Sequence, residues 1–137
     1  MKDYRRTIAA GVGTLCLVGG LLATKEYRLR RAWRHEGWEA LRQGAASEGL
    51  QYLAYSAKEE DIPFIVSYLY DNDAYVRFLA AFALTLRSGH NIPVPPDLVG
   101  GTVSDSPTSL VMFDLSNEAL VDGYVAEWRE WARRRGD

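Results

Sequence analysis

An uncharged run of eighteen residues near the N-terminus constrains this 137-residue chain more than any other feature. The run extends from Thr7 to Thr24, reads TIAAGVGTLCLVGGLLAT, and is bounded by Arg6 and Lys25. A helix rises about 1.5 Å per residue, so the run spans about 27 Å, close to the roughly 30 Å hydrocarbon core of a bilayer. We therefore predict a single transmembrane helix over residues 7–24.

A cleaved signal peptide is the main alternative for a basic start followed by an apolar run. Cleavage requires small residues one and three positions before the cut, and a cut after Ala23 has Leu21 at the outer position. A lipoprotein signal requires a small residue before its cysteine, whereas Cys16 follows Leu15. These departures favour an anchor that is not cleaved.

Formal charge divides the chain after residue 34. Residues 1–34 contain eight Lys or Arg and two Asp or Glu, which gives +6, and the chain carries −2, so residues 35–137 carry −8. A basic segment beside an apolar run is attracted to anionic lipid headgroups. An acidic body argues against nucleic acid as a partner, because neutralising phosphates requires a basic face. We expect an anchor over 1–34 and a body over 35–137.

The basic residues around the run also predict its orientation. Five Lys or Arg follow it up to residue 34, and three precede it. Cytoplasmic flanks carry the excess of Lys and Arg. We therefore expect a single-pass protein of a bacterial inner membrane, or an equivalent energy-transducing membrane, with its body in the cytoplasm.

One face of the predicted span consists of small residues. Such a face lets helices approach closely in lipid, where van der Waals contact drives association. It predicts packing against other transmembrane helices, although glycine and alanine are also common in membrane helices for other reasons. The face comprises Ala9, Gly13, Cys16, Gly20 and Ala23.

The body reads as all-α. Residues 29–57 predict helices separated by a short break, with glycines at 37, 44 and 49 as interruptions. Residues 59–89 predict two further helices. Asp61 and Pro63 are typical of a helix start, and a turn at 71–73 precedes a second helix over 74–87. The second helix has little polar surface, so we expect it to be the buried member of an antiparallel pair.

The stretch DIPFIVSYLYDNDAYVRFLAAFAL resembles a HEAT repeat of the short bacterial type related to phycobilisome-lyase repeats. It shares an early proline, an Asp-rich turn and the pattern Val-Arg-x-x-Ala-Ala-x-x-Leu. The resemblance implies a small HEAT-like helical hairpin, in which Arg77 contacts carboxylates of the turn. Phe78 stands where such repeats usually have a polar residue, which predicts an additional contact surface. The positions assigned to the repeat are Pro63, Asp71, Asp73, Val76 and Arg77.

The remaining body consists of an irregular segment and a final helix. Residues 88–116 contain four prolines and a Gly-Gly pair, which predicts a long loop whose apolar end, 110–115, docks on the core or on a partner. Residues 117–135 predict a C-terminal helix that caps the repeat, with three arginines at its end. Its Trp128 and Trp131 are expected in the core, and the alternative is a role as anchors for a protein partner.

The residues show no pattern of known catalytic or metal chemistry. His35 and His90 are far apart, without a cysteine or second histidine at ligand spacing. The carboxylate clusters fall at predicted helix starts and turns, where capping explains them. No Gly-x-Ser-x-Gly motif frames a serine. We expect no enzyme activity, no cofactor, no metal and no small-molecule substrate.

These features predict a non-catalytic, membrane-anchored protein–protein interaction module. We expect an accessory or structural subunit of a larger membrane complex of the respiratory or photosynthetic type, whose partners are lipid, transmembrane helices and other subunits. The alternatives are a chromophore-handling or lyase-like protein, as the resemblance implies, and a free-standing membrane-tethered scaffold. The candidate partner-binding residues are Tyr70, Tyr75, Phe78, Trp128 and Trp131.

Overall fold

The computed structural model describes residues 24–100 and 112–136. The predicted span lies outside the described residues, apart from Thr24, and so does the whole of its small-residue face. Within 24–100 and 112–136, no helix combines the length and the apolar character that crossing a bilayer requires.

The chain divides into two compact units, Met1–Ala32 and Trp33–Asp137. The division falls two residues before the boundary expected from charge. Residues 24–42 are helical (α1), and the division falls within this helix. In the first unit, Arg30 and Glu26 form an ion pair of 2.9 Å one helical turn apart.

The second unit is all-α over its described residues, which confirms the all-α part of the predicted fold. An isolated antiparallel bridge joins Val99 to Phe113. Short 3-10 turns precede α3, follow it, and interrupt the loop before the bridge. The helices that follow the second part of α1 are α2 (Ala46–Ser56), α3 (Ile62–Ser67), α4 (Ala74–Arg87) and α5 (Glu118–Arg135), and the 3-10 turns are Glu59–Asp61, Tyr68–Tyr70 and Pro96–Leu98.

Helix α4 lies at the centre of the unit and packs against α2, α3 and α5. Eight of its fourteen residues are buried, so the predicted burial of this helix is confirmed. Three buried alanines keep the helix narrow, which allows three helices to pack around it. Each fully buried Leu or Phe in this core contributes roughly 1.5–3 kcal/mol by leaving water.

The contact between α1 and α2 depends on two glycines. An ideal Cβ on Gly49 would lie 2.6 Å from Leu41 Cγ and 2.9 Å from the carbonyl oxygen of Gly37. Gly37 and Gly49 therefore lie inside helices at a close crossing, and the prediction that they interrupt helices is wrong. Of the three glycines, Gly44 forms the break, with a φ of 82°.

Within the segment from 88 to 116, the described residues form hydrogen bonds and core contacts that the composition of the segment does not predict. The Gly100 amide donates to the Met112 carbonyl, and the Asp114 amide donates to the Leu98 carbonyl, both at 3.0 Å. Leu98 is fully buried, and the Phe113 ring lies 4.8 Å from the Phe78 ring centroid. The expected docking of the apolar end on the core is confirmed for Phe113.

Candidate functional site

The turn between α3 and α4 is built by two aspartates. Asp71 Oδ1 accepts a hydrogen bond of 2.8 Å from the Asp73 amide, and Asp73 Oδ1 accepts one of 2.8 Å from the Tyr75 amide. The second bond makes Asp73 the N-cap of α4, as its residue type favours. On the α3 side, Pro63 occupies the first turn of that helix. The sequence signals at this turn are therefore structural in origin.

Arg77 braces the turn from inside α4. Its Nη1 donates to the carbonyl oxygens of Asp71 and Asn72 at 2.8 and 3.0 Å. The expected contact with turn carboxylates is thus wrong in its acceptor, because the carboxylates of Asp71 and Asp73 are turned toward backbone amides. Val76, the neighbouring repeat position, is buried in the core.

Two exposed tyrosines flank this turn. Tyr70 is 61% exposed and Tyr75 is 40% exposed. The Arg129 guanidinium lies 4.8 Å from the Tyr70 ring centroid, and its Nε and Nη2 donate to the Leu69 carbonyl at 2.9 and 2.6 Å. The Tyr75 hydroxyl accepts a hydrogen bond of 3.1 Å from Gln51 Nε2. Both rings are therefore exposed and held in defined positions.

A groove lies beside the second tyrosine, between the first turns of α4 and α5. Its volume is about 370 Å³. Neither Glu118 nor Asp122, which line it, forms an ion pair with another described residue. We call Tyr70, Tyr75 and this groove the turn surface. The residues that line the groove are Ala74, Tyr75, Arg77, Leu115, Glu118, Val121 and Asp122.

Two candidate partner-binding residues belong to the core instead. Phe78 is fully buried and packs against Phe113 and Tyr124, with ring centroids 4.8 and 5.9 Å apart. The predicted contact surface at Phe78 is therefore wrong, because an aromatic side chain at this position fills the space between α4 and α5. Trp128 is also fully buried, which confirms the core role expected for it.

Trp131 is partly exposed at the other end of α5. Its ring stacks on His90 at 5.7 Å and meets Trp128 edge to face at 5.2 Å. The Arg135 guanidinium lies 5.1 Å from the same ring. A shallow groove of about 620 Å³ runs along α5 here, lined by His90, Ile92, Ala126, Glu127, Glu130, Trp131 and Arg134.

A buried hydroxyl pair joins α4, α5 and the loop behind them. The Tyr124 hydroxyl contacts Thr85 Oγ1 and lies 3.1 Å from the Ala81 carbonyl oxygen, and it donates its single proton to one of these two acceptors. Thr85 Oγ1 also bonds the Ile92 carbonyl at 2.9 Å. Burial raises the pKa of Tyr124 well above its ordinary value, so the phenol stays protonated and serves as a structural donor.

Within the described ranges, no three His, Cys, Asp or Glu side chains lie close enough to hold a metal ion. Comparison with known proteins identifies no relative, since no family model, no curated protein and no solved structure matches this chain.

Proposed function

We propose that this chain is a membrane-anchored, non-catalytic protein–protein interaction module that serves as an accessory or structural subunit of a larger membrane complex. The observation that carries the proposal is the turn surface. Tyr70 and Tyr75 expose large rings that are already held by Arg129 and Gln51, so a partner that covers them loses little side-chain entropy. Tyrosine is enriched among residues that dominate interface energies.

The anchor is proposed from the uncharged run over 7–24, whose length suits a bilayer and whose flanks are basic. The same charge pattern supports a cytoplasmic body. The α3–α4 pair, with its capped turn braced by Arg77, supports a HEAT-like hairpin as the scaffold that presents the turn surface. In such an arrangement the helices carry the fold, and the turn is available for recognition.

The test is purification of the full chain from its own membrane in a mild detergent, followed by native electrophoresis. We expect stoichiometric co-migration with a larger assembly. Recovery of the chain from a salt-washed aqueous fraction would contradict the anchor, and a lone chain carrying bound pigment would replace the proposal with the chromophore-handling alternative.

Variants of the two tyrosines connect the assembly to the turn surface. We expect Tyr70→Ala combined with Tyr75→Ala to release the chain from the assembly while it stays in the membrane fraction. Tyr27→Ala is the matched control, because Tyr27 is 62% exposed, close to the 61% of Tyr70, and lies outside the turn surface. Retention of the double variant in the assembly would show that the partner binds elsewhere.

A further inference from the structure

The first part of α1 carries a row of three exposed cations. Lys25, Arg28 and Arg31 are exposed and follow one another three positions apart. Three positions turn a helix through about 300°, so each residue lies about 60° from the one before it, and the three share about one third of the helix surface. None of them forms an ion pair with another described residue. We call these three residues the open basic row.

The other two basic residues that closely follow the uncharged run are neutralised within the chain. Arg30 pairs with Glu26 at 2.9 Å, and this pair lies about 180° around the helix from the centre of the open basic row. Arg34 pairs with Glu60 at 2.8 Å and with Asp61 at 2.7 Å. The charge pattern treats all five basic residues alike, whereas the structure separates two that bind protein carboxylates from three that contact no described carboxylate.

The open basic row follows the uncharged run directly. Lys25 is the residue after Thr24, and Arg31 lies seven positions beyond Thr24. At about 1.5 Å per residue, the Arg31 backbone is about 10 Å along the helix from the end of the run. The polar layer of one leaflet is about 5–8 Å thick, and long Lys and Arg side chains reach toward polar surroundings while their stems cover apolar surface. A bilayer that holds the run therefore brings its headgroups within reach of all three cations.

We propose that the open basic row binds the headgroups of anionic phospholipids in the leaflet where the uncharged run ends. The proposal rests on the membrane anchor of the proposed function and deepens it by naming the class of lipid. Arginine donates paired hydrogen bonds to phosphate oxygens, and lysine adds a compact charge. Phosphatidylglycerol has a net negative charge, whereas phosphatidylcholine has none, so the row favours the first lipid over the second.

The charge of the second unit gives the open basic row a purpose. Residues 33–137 contain nine Lys or Arg and sixteen Asp or Glu, which gives −7. An anionic membrane surface repels a body of this charge. The three cations of the row offset that repulsion next to the run, and Arg34 does not contribute because its charge is neutralised by Glu60 and Asp61. Lipid binding at the row therefore holds an acidic body at an acidic surface.

The test uses the full-length chain reconstituted in phosphatidylcholine vesicles that contain a small amount of spin-labelled lipid. Electron paramagnetic resonance measures the fraction of the label that is immobilised at the protein. The measurement is made once with spin-labelled phosphatidylglycerol and once with spin-labelled phosphatidylcholine, and the ratio of the two fractions is the lipid preference. We expect the unmodified chain to prefer phosphatidylglycerol about twofold or more, and added salt to reduce this preference.

Two triple variants remove the same total charge from different parts of the chain. The row variant combines Lys25→Gln, Arg28→Gln and Arg31→Gln. The matched control replaces three exposed cations of the second unit and combines Arg42→Gln, Lys58→Gln and Arg133→Gln. We expect the row variant to lose about half or more of the lipid preference, and the control to keep it to within about a fifth, because only the row lies beside the run. Helix content measured by circular dichroism should be the same in both variants, since all six side chains are exposed.

Flotation of the vesicles separates a failure of lipid binding at the row from a failure of the anchor. On a density gradient at high salt, floating vesicles should carry the unmodified chain and both triple variants. A chain that does not float overturns the anchor, and the proposal for the row with it. A chain that floats but shows no preference for phosphatidylglycerol, keeps the preference in the row variant, or loses it equally in both triple variants overturns the proposal for the row alone.

Discussion

Arg34 and Asp61 form a two-pronged ion pair that joins α1 to the start of α3. Arg34 Nε donates to Asp61 Oδ2 and Arg34 Nη2 donates to Asp61 Oδ1, both at 2.7 Å. Asp61 is only 3% exposed, and its Oδ2 also accepts the Lys58 amide at 2.8 Å. Parallel charge-assisted hydrogen bonds of this kind are among the strongest in proteins. A residue that the charge pattern assigns to the lipid-facing flank is therefore part of the folded body.

Arg34→Ala should destabilise the second unit by about 2–3 kcal/mol, because it leaves a buried carboxylate without its counter-ion. The value lies below that of a fully buried pair because the Arg34 side chain is 26% exposed. Urea unfolding of the full chain in mild detergent, followed by tryptophan fluorescence, measures the effect. Arg42→Ala removes an exposed arginine of the same helix and should change the free energy of unfolding little. Equal losses in the two variants would contradict a structural role for the pair.

The same pair predicts a stability that falls in acid. Burial alone raises the pKa of Asp61, but the hydrogen bonds from Arg34 and the Lys58 amide outweigh it and hold the pKa below its usual value. A carboxyl whose pKa is lower in the folded state stabilises the fold at pH values above its unfolded pKa. This stabilisation is lost as the pH falls through the folded pKa. The difference in free energy of unfolding between the unmodified chain and Asp61→Asn should therefore be largest at neutral pH and decrease below about pH 4. A gap that stays constant from about pH 7 to about pH 3 is incompatible with this linkage.

Two glycines of the body should respond in opposite directions to the same change. Gly49→Ala places a Cβ within 2.6 Å of Leu41 Cγ and should lower stability by about 1–3 kcal/mol through overpacking at the α1–α2 crossing. Gly123→Ala enters open space on α5 and should raise stability by about 0.5–1 kcal/mol. Thermal unfolding at low protein concentration compares the two. Stabilisation by both substitutions would show that α1 and α2 do not cross closely at Gly49.

The predictable parts of the fold are those controlled by neighbours in sequence. The α3–α4 hairpin followed from Pro63, the aspartates of its turn and the apolar spacing, because caps and turns are local interactions. Burial of α4 followed from its lack of polar surface. Of the turn surface, only Tyr70 and Tyr75 were predicted as partner-binding residues.

Features that join distant residues had no local signal. Asp61, the partner of Arg34, lies 27 positions later in the chain. From the sequence alone, a basic residue after an apolar run is interpreted as a contact with lipid headgroups, because its contact with Asp61 exists only in the folded structure. Gly37 and Gly49 were interpreted as helix breaks, because no local sequence pattern indicates that two helices cross closely at these residues. The resemblance to HEAT repeats led us to expect an exposed side chain at Phe78. Phe78 is buried instead, because it packs against Phe113, which lies 35 positions later in the chain.

Arg77 offers a test of what the turn is built from. Its guanidinium bonds the carbonyls of Asp71 and Asn72, so the interaction depends on the backbone and not on the Asp71 charge. Arg77→Ala should cost about 1–2 kcal/mol, because two carbonyls lose their donor. Asp71→Asn keeps the side-chain oxygen that accepts the Asp73 amide, so it should cost little on its own.

In a double-mutant cycle, the coupling energy between the two substitutions should then lie near zero, within about 0.3–0.5 kcal/mol. A carboxylate contact of the kind that the repeat resemblance implies would instead give a coupling of about 1 kcal/mol that weakens with salt. The cycle thus separates a turn held through its backbone from one held through its charges, and a large salt-sensitive coupling would overturn the backbone account.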